Sequence, residues 1–289
     1  MLEYFFPYEN QGYQLHLENV PLPHPENRSK MKYIYQQIVP AEIRENLWLY
    51  RHHQHISYPA KIEMNLDDTR TQFIAYTRGD ETRILTNGHE HDYQLAASKH
   101  IKYGDVIWDI GAYQGTWTIP LAAIHKENTF YCFEPDPKYF DILQKNLQLN
   151  NLNTVYAYPY AISNTSGNQE LYLHSQFNHC SALRQLYPKQ TAQAVRVQTK
   201  TIDNCVSTYL IPPPDILKIE VEGAENMVLQ GMRSIHPRHI FLEIHTPEFL
   251  EKYDTDPISI YNEMKQQGYK AKDIWMRTTA LLCHFEQAQ

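Results

Sequence analysis

Apolar residues in this chain come in short, nearly unbroken runs separated by polar, turn-forming stretches. Val106 to Ile110 is one such run, interrupted only by Asp109; Thr129 to Phe133, Thr154 to Tyr158, Asp215 to Val221 and His239 to Ile244 are others. Runs this short and this apolar read as strands buried on both faces, the habit of a parallel sheet. Helical patterns lie between them: Thr116 to Ala123 and the series Phe140, Leu143, Leu147. A helix over Ile258 to Gln267, closed by Gly268, precedes an antiparallel pair, Tyr269 to Trp275 and Ala280 to Phe285. Upstream, Thr71 to Tyr76 and Glu81 to Asn87 alternate around Gly79-Asp80, which predicts a β-hairpin, and a helix follows His89-Glu90-His91 to about His100.

The first 70 residues differ. Pro21, Pro23 and Pro25 mark an irregular arm. Two short helices, Lys30 to Val39 and Ala41 to Tyr50, are split by Pro40, which cannot continue a helix interior. Residues 1–70 therefore read as an N-terminal extension that covers the active site or forms a subunit interface, which leaves a homodimer open, and residues 71–289 as the main domain. Arg51-His-His-Gln-His55 lacks the carboxylate partner and helix-face spacing of a metal motif, so it reads as a solvated or substrate-facing stretch.

The chemistry concentrates in one unit. After the first buried run the chain turns through Gly111 and Gly115, and a helix follows. Strand, glycine turn and helix open a nucleotide-binding domain: glycine lets a ligand approach the backbone, and the helix start offers free N–H groups. A dinucleotide fingerprint would need glycine where Tyr113 and Thr116 stand, so the loop suits a cofactor without a pyrophosphate. The second run ends in Glu134-Pro135-Asp136-Pro137. An acid at the carboxyl end of that strand is placed to accept two hydroxyls of a ribose. Asp136 can cap the next helix, with Pro137 at its first position.

Taken together, Asp109-Ile-Gly-Ala-Tyr-Gln-Gly115, Phe133-Glu-Pro-Asp-Pro137 with Leu143 and Asn146, Leu217-Lys-Ile-Glu-Val-Glu-Gly-Ala-Glu225 with Leu229 and Gly231, and Leu242-Glu-Ile-His245 resemble the FkbM-type methyltransferases. The likeness covers roughly residues 72–250. The family usually has Asn where Tyr113 stands and Asp where Glu220 stands. The resemblance implies a Rossmann-like class I α/β fold, a mainly parallel seven-stranded sheet in the order 3-2-1-4-5-7-6 with helices on both faces. It implies S-adenosylmethionine as cofactor, held by Asp109, Gly111, Ala112, Gly115, Glu134, Pro135, Ala161 and Glu220, with Ala161 beside the adenine. It also implies O-methylation of a small molecule, sugar or secondary metabolite. Relatives often carry a glutamate near Glu90, which the resemblance places to reach the cofactor's methionine end; a helix-start acid is an equal reading. The rivals are a protein or nucleic-acid methyltransferase and a non-catalytic cofactor-binding protein on the same fold. Pro212-Pro-Pro214 precedes the fourth strand, in the wrong order for an N-P-P-Y amino-methylation motif.

Two strands carry the catalytic expectation. Lys218 and Glu220 share a sheet face, as do Glu243 and His245. If the strands end level, Lys218 pairs with Glu243, and Glu220 meets His245 at the carboxyl ends. His245 then has the intrinsic pKa to take a hydroxyl proton near neutrality, with Glu220 orienting it, the acceptor or the cofactor. A divalent ion shared by Glu220, Glu222 and His245 is the less favoured alternative, so no metal ligand is assigned. Asn178 and Ser181, in the loop from Phe177 to Ala192, are placed to grip a substrate.

A formal charge of −7 over 289 residues argues against a polyanionic partner. The four cysteines, scattered without a C-x-x-C, read as reduced thiols and not as zinc ligands. No apolar run approaches a membrane span and the start lacks a basic leader, so a cytoplasmic protein is expected.

Overall fold

The computed structural model describes residues 2–5, 14–17, 57–86, 90–174, 181–186, 192–277 and 280–288. Strands β1 (Leu2–Phe5) and β2 (Gln14–Leu17) pair antiparallel. The expected helices at 30–50, the histidine run at 51–55 and Asn178 lie outside the described residues.

Next come β3 (Ala60–Leu66) and β4 (Thr69–Ala75), an antiparallel hairpin. Both strands alternate buried and exposed residues, so one face carries Ile62, Met64, Leu66, Phe73 and Ala75 into the core. Its turn is Asp67-Asp68, with Asp67 left-handed at φ 51°. This corrects the hairpin expected around Gly79-Asp80. The stretch placed on its second strand is helix α1 (Arg78–Leu85), because Thr77 and Asp80 form a reciprocal capping box that starts a helix there. The boundary drawn at 70/71 falls inside β4 and would part it from β3.

Helix α2 (His91–His100) leads to β5 (Val106–Ile110), α3 (Thr118–Ile124), β6 (Thr129–Phe133), α4 (Pro137–Leu149) and β7 (Val155–Tyr158). A four-stranded side sheet follows, from β8 (Tyr160–Ile162), β9 (Gly167–His174), β10 (Ser181–Ala182) and β11 (Ala192–Lys200), in the order β10-β9-β11-β8. The main sheet resumes through α5 (Ile202–Ser207), β12 (Ile216–Ile219), α6 (Glu225–Gln230), β13 (His239–His245), α7 (Pro247–Leu250) and α8 (Pro257–Gln266). It closes with β14 (Tyr269–Met276) and β15 (Ala280–Gln287).

The seven strands run β14-β15-β13-β12-β5-β6-β7. All adjacent pairs are parallel except those involving β15. Counted along the domain this is the expected order. Both faces are covered. Trp108, Ile110, Leu217, Ile219 and Leu242 face one apolar layer with Val228, Leu229 and Ile260. Ile107, Ile216 and Phe241 face the other, with Trp117, Ile119, Leu143 and the hairpin's Phe73. Two-sided burial is why the strands read as continuous apolar runs. Cys132, Cys205 and Cys283 are buried free thiols.

Candidate functional site

The main sheet reverses its winding at β5, where β6 lies on one side and β12 on the other. Clefts in open α/β sheets form outside the carboxyl ends at such a point. A cleft opens here, lined by Arg83, Gly111, Tyr113, Glu134, Pro135 and Ala161, with Ser181, Glu220 and Glu222 among its other walls.

The glycine loop shapes its floor. Gly111 is left-handed at φ 81° and lies so close to β12 that an added Cβ would sit 1.7 Å from the Glu220 carbonyl oxygen. Gly115 acts differently: a Cβ there would press on Ile119 and Leu143 at 2.7 and 2.8 Å, so it serves the packing of α3 against α4. Ala112 is buried, its amide donating to the Phe133 carbonyl at 3.1 Å. Asp109 is buried inside β5, accepting from Thr118 Oγ1 at 2.7 Å, and does not line the cleft.

At one end stands Glu134. Oε2 accepts from the Tyr113 amide at 2.7 Å and Oε1 from the Asp136 amide at 2.8 Å, so the carboxylate is held rigidly at the cleft wall. Burial pushes its pKa up to about 8, although both amides pull the other way. Asp136 caps α4 through Lys138 N and also accepts from Ser181 Oγ at 2.6 Å. Ser181 is also among the residues that line the cleft.

The other end is a charged network. Lys218, only 3% exposed, places Nζ 2.8 Å from Glu220 and 3.1 Å from Asp109 as ion pairs and donates to the Gly111 carbonyl at 3.3 Å. Arg83 meets the other oxygen of Glu220 at 3.0 Å and lies over the Tyr113 ring at 4.9 Å. Burial alone would raise the Glu220 pKa, but Lys218, Arg83 and Arg277 outweigh it and hold the carboxylate well below its ordinary value. Arg277 bridges Glu90 and Glu243, each at 3.2 Å. Burial pushes Glu90 up to about 7 and Glu243 up to about 8.

The expected Lys218–Glu243 pair is thus not formed. The strands do not end level: Lys218 is in register with Phe241 and Ile219 with Leu242, so Glu243 lies two residues beyond the lysine. The expected contact of Glu220 with His245 fails for the same reason. His245 sits deeper, 4% exposed, with Nδ1 2.6 Å from Glu225 and Nε2 3.3 Å from Glu222. Burial would lower its pKa, but Glu225, Glu243 and Glu222 raise it well above the ordinary histidine value. These carboxylates favour the protonated ring, and the described partners of His245 are Glu225, Glu222 and Glu243 in place of the expected Glu220. Glu222, whose own pKa the His245 contact depresses against the opposing pull of burial, is the member of this group at the cleft wall.

Arg83, Arg277 and Glu225 were not foreseen. Arg83 was hidden because α1 was read as a strand; the Thr77/Asp80 capping pattern was the available signal. Glu225 stood inside the quoted Glu-Val-Glu-Gly-Ala-Glu motif, where spacing does not reveal a partner on another strand. Nothing in the sequence marks Arg277.

A family model described as "Methyltransferase FkbM domain" matches residues 109–271, more than half of the chain. The chain belongs to the FkbM methyltransferase domain family. Hexuronic acid methyltransferase AglP of Haloferax volcanii is 30% identical over 166 residues, covering 56% of this chain and 65% of that protein. Methyltransferase 1 of Beauveria bassiana is 26% identical, covering 45% of this chain and 59% of the relative. The chain thus spans less than two thirds of either of these curated relatives. Among solved structures, TYW2 of Pyrococcus horikoshii in complex with MeSAdo gives a TM-score of 0.47 at 13% identity, covering 80% of this chain and 72% of that one. No described helix is long and apolar enough to cross a membrane.

Proposed function

We propose that this FkbM-family domain transfers a methyl group from S-adenosylmethionine to a hydroxyl of a sugar-like or other polar small molecule. The observation that carries the proposal is the polarity of one cleft: an acid held by two amides at one end, Glu134, and an ionised acid beside the close Gly111 turn at the other, Glu220. Apolar Ile110, Phe133, Ile162 and Leu171 are also among the lining residues. This set of surfaces fits a diol, a flat base and a cationic amino-acid tail. Glu134 accepts from the ribose hydroxyls, Ala161 and Phe133 flank the base, and Glu220 faces the cationic end. When bound, the cofactor supplies an activated methyl on a sulfonium with a neutral leaving group, so positioning contributes most.

Glu222 takes the proton of the acceptor hydroxyl as the oxygen attacks. His245 holds Glu222 in place, and Glu225 holds His245. A weakly basic carboxylate suffices because the leaving group needs no help. The sugar class rests on the hexuronic acid relative and on the hydroxyl-binding character of Ser181 and the acids around it.

The test is a panel of uronic acids, neutral glycosides and phenols incubated with S-adenosylmethionine, reading release of S-adenosylhomocysteine. A polyhydroxyl acceptor is expected to turn over, and Glu222→Gln to lose turnover while keeping cofactor binding. Cofactor binding with no turnover on any hydroxyl acceptor, but methylation of a protein or nucleic acid, would overturn the acceptor class.

A further inference from the structure

We propose that His100, His239 and His284 form a binding site for a late first-row divalent metal ion, zinc foremost, at the end of the sheet away from the cleft. One ring nitrogen from each histidine lies within 4.8 Å of the others. His239 Nδ1 and His284 Nε2 face each other at 3.1 Å. Nitrogens bound to one tetrahedral zinc at about 2.0–2.1 Å stand about 3.3 Å apart, so this pair needs little movement to share an ion.

The surrounding groups hold the rings in a ligating pose. The other nitrogen of His284, Nδ1, lies 3.4 Å from Asp273 Oδ2. A carboxylate behind a ligating imidazole fixes its tautomer and raises its basicity. Phe241 stacks flat on the His284 ring, with centroids 4.5 Å apart and planes 1° from parallel. The His100 ring lies 4.3 Å from that of His239 and 4.6 Å from that of His284. His239 and His284 are buried while His100 is half-buried, which leaves a path from solvent and a fourth position for water. Of the cations near the cluster, Lys272 is paired with Glu286 at 2.8 Å and Arg238 with Asp105 at 2.7 Å, and Lys99 is exposed.

Imidazole donors select zinc, nickel, copper or cobalt over calcium and magnesium. The scattered cysteines argue against a thiolate zinc site, and this cluster uses none. Six strand steps from His239 to His245, at about 3.3 Å each, put the cluster about 20 Å from the cleft. An ion here joins the last residue of α2 to the first of β13 and to β15. The inferred role is therefore a structural clasp, and it is independent of the methyl acceptor.

Untagged protein is stripped with chelator and titrated with zinc chloride by calorimetry, and with cobalt chloride by visible absorption. The expected result is one tight equivalent, tetrahedral cobalt bands, and a Tm that falls on chelation and returns with zinc. His100→Ala, at a half-buried helix end, loses that equivalent and the cobalt bands but keeps the wild-type rate of methyl transfer. A variant with His52, His53 and His55 all replaced by alanine keeps the equivalent. The proposal is overturned if stripped wild-type protein takes up no cobalt. It is also overturned if His100→Ala binds as wild type does, or if the triple variant alone loses binding.

Discussion

Gly111 rests against the carbonyl of Glu220, and no side chain fits between them. The contact links β5 to β12 at the point where the cleft opens, and both residues line it. Gly111→Ala meets two costs. A side chain in the left-handed region costs about 1–2 kcal/mol, and overlap with a backbone atom adds about 1–3 kcal/mol. Gly104 separates them, because it shares φ 81° but has nothing within 4 Å of an added Cβ. Urea unfolding is expected to show Gly104→Ala paying only the first cost and Gly111→Ala both. Equal losses at the two positions would refute the close approach.

Glu134 offers a second test. Because burial raises its carboxyl to about 8, the ionised form that accepts hydroxyls is the minority species at neutral pH. Ligand binding that prefers the ionised form tightens as pH rises, by up to about tenfold per unit, and levels off above the group's pKa. Calorimetric titration with S-adenosylhomocysteine across this range is expected to show that rise in wild type relative to Glu134→Gln. The variant also turns an amide NH2 toward a backbone N–H, so its binding weakens by about 1–3 kcal/mol.

The strands were legible because two-sided burial leaves short apolar runs, and their order because the motifs resemble those of the family. The cleft's Gly111 and Glu134 were legible because each is fixed by its own strand end. The charged end was not. Which carboxylate meets Lys218 depends on the stagger between β12 and β13, and a shift of two residues exchanges Glu243 for Glu220 and Asp109. Periodicity fixes the face a residue occupies but not the level at which two strands stop. Helix α1 failed for a different reason: over Glu81 to Asn87 the alternation suits either period, and the cap decides.

Lys218 makes the consequence of that stagger measurable. It neutralises two buried carboxylates, of Asp109 and Glu220. Lys218→Met keeps the length and removes the charge, leaving Asp109 without its cation and Glu220 with Arg83 as its contacting cation. Breaking a buried pair in this way costs about 3–5 kcal/mol. Urea melts are expected to show that loss. Glu243→Gln, which does not touch Lys218, is expected to leave the Lys218 contacts in place and to cost clearly less. A reversed ranking would restore the Lys218–Glu243 pair.

His245 supplies the last prediction, and its sign can be worked out. Its pKa in the folded chain is raised well above the ordinary value, because Glu225, Glu243 and Glu222 outweigh burial. The unfolded chain titrates near about 6.5. A base with a raised folded pKa stabilises the fold fully below its unfolded pKa, and that stability is lost as pH rises through the folded pKa. Wild-type protein should therefore become less stable above neutrality, with the loss continuing toward the folded pKa. Glu225→Gln removes the carboxylate on Nδ1, so the histidine pKa drops and the slope of stability against pH above neutrality becomes shallower. Urea unfolding at a series of pH values reads the slope, and the imidazole proton shifts of His245 read the pKa itself. The same variant tests the catalytic arrangement: with Glu222 less firmly held, turnover should fall while S-adenosylhomocysteine binding is kept. An imidazole that titrates near its ordinary value in wild type would remove the charged His245 from the mechanism and return it to the role of proton acceptor.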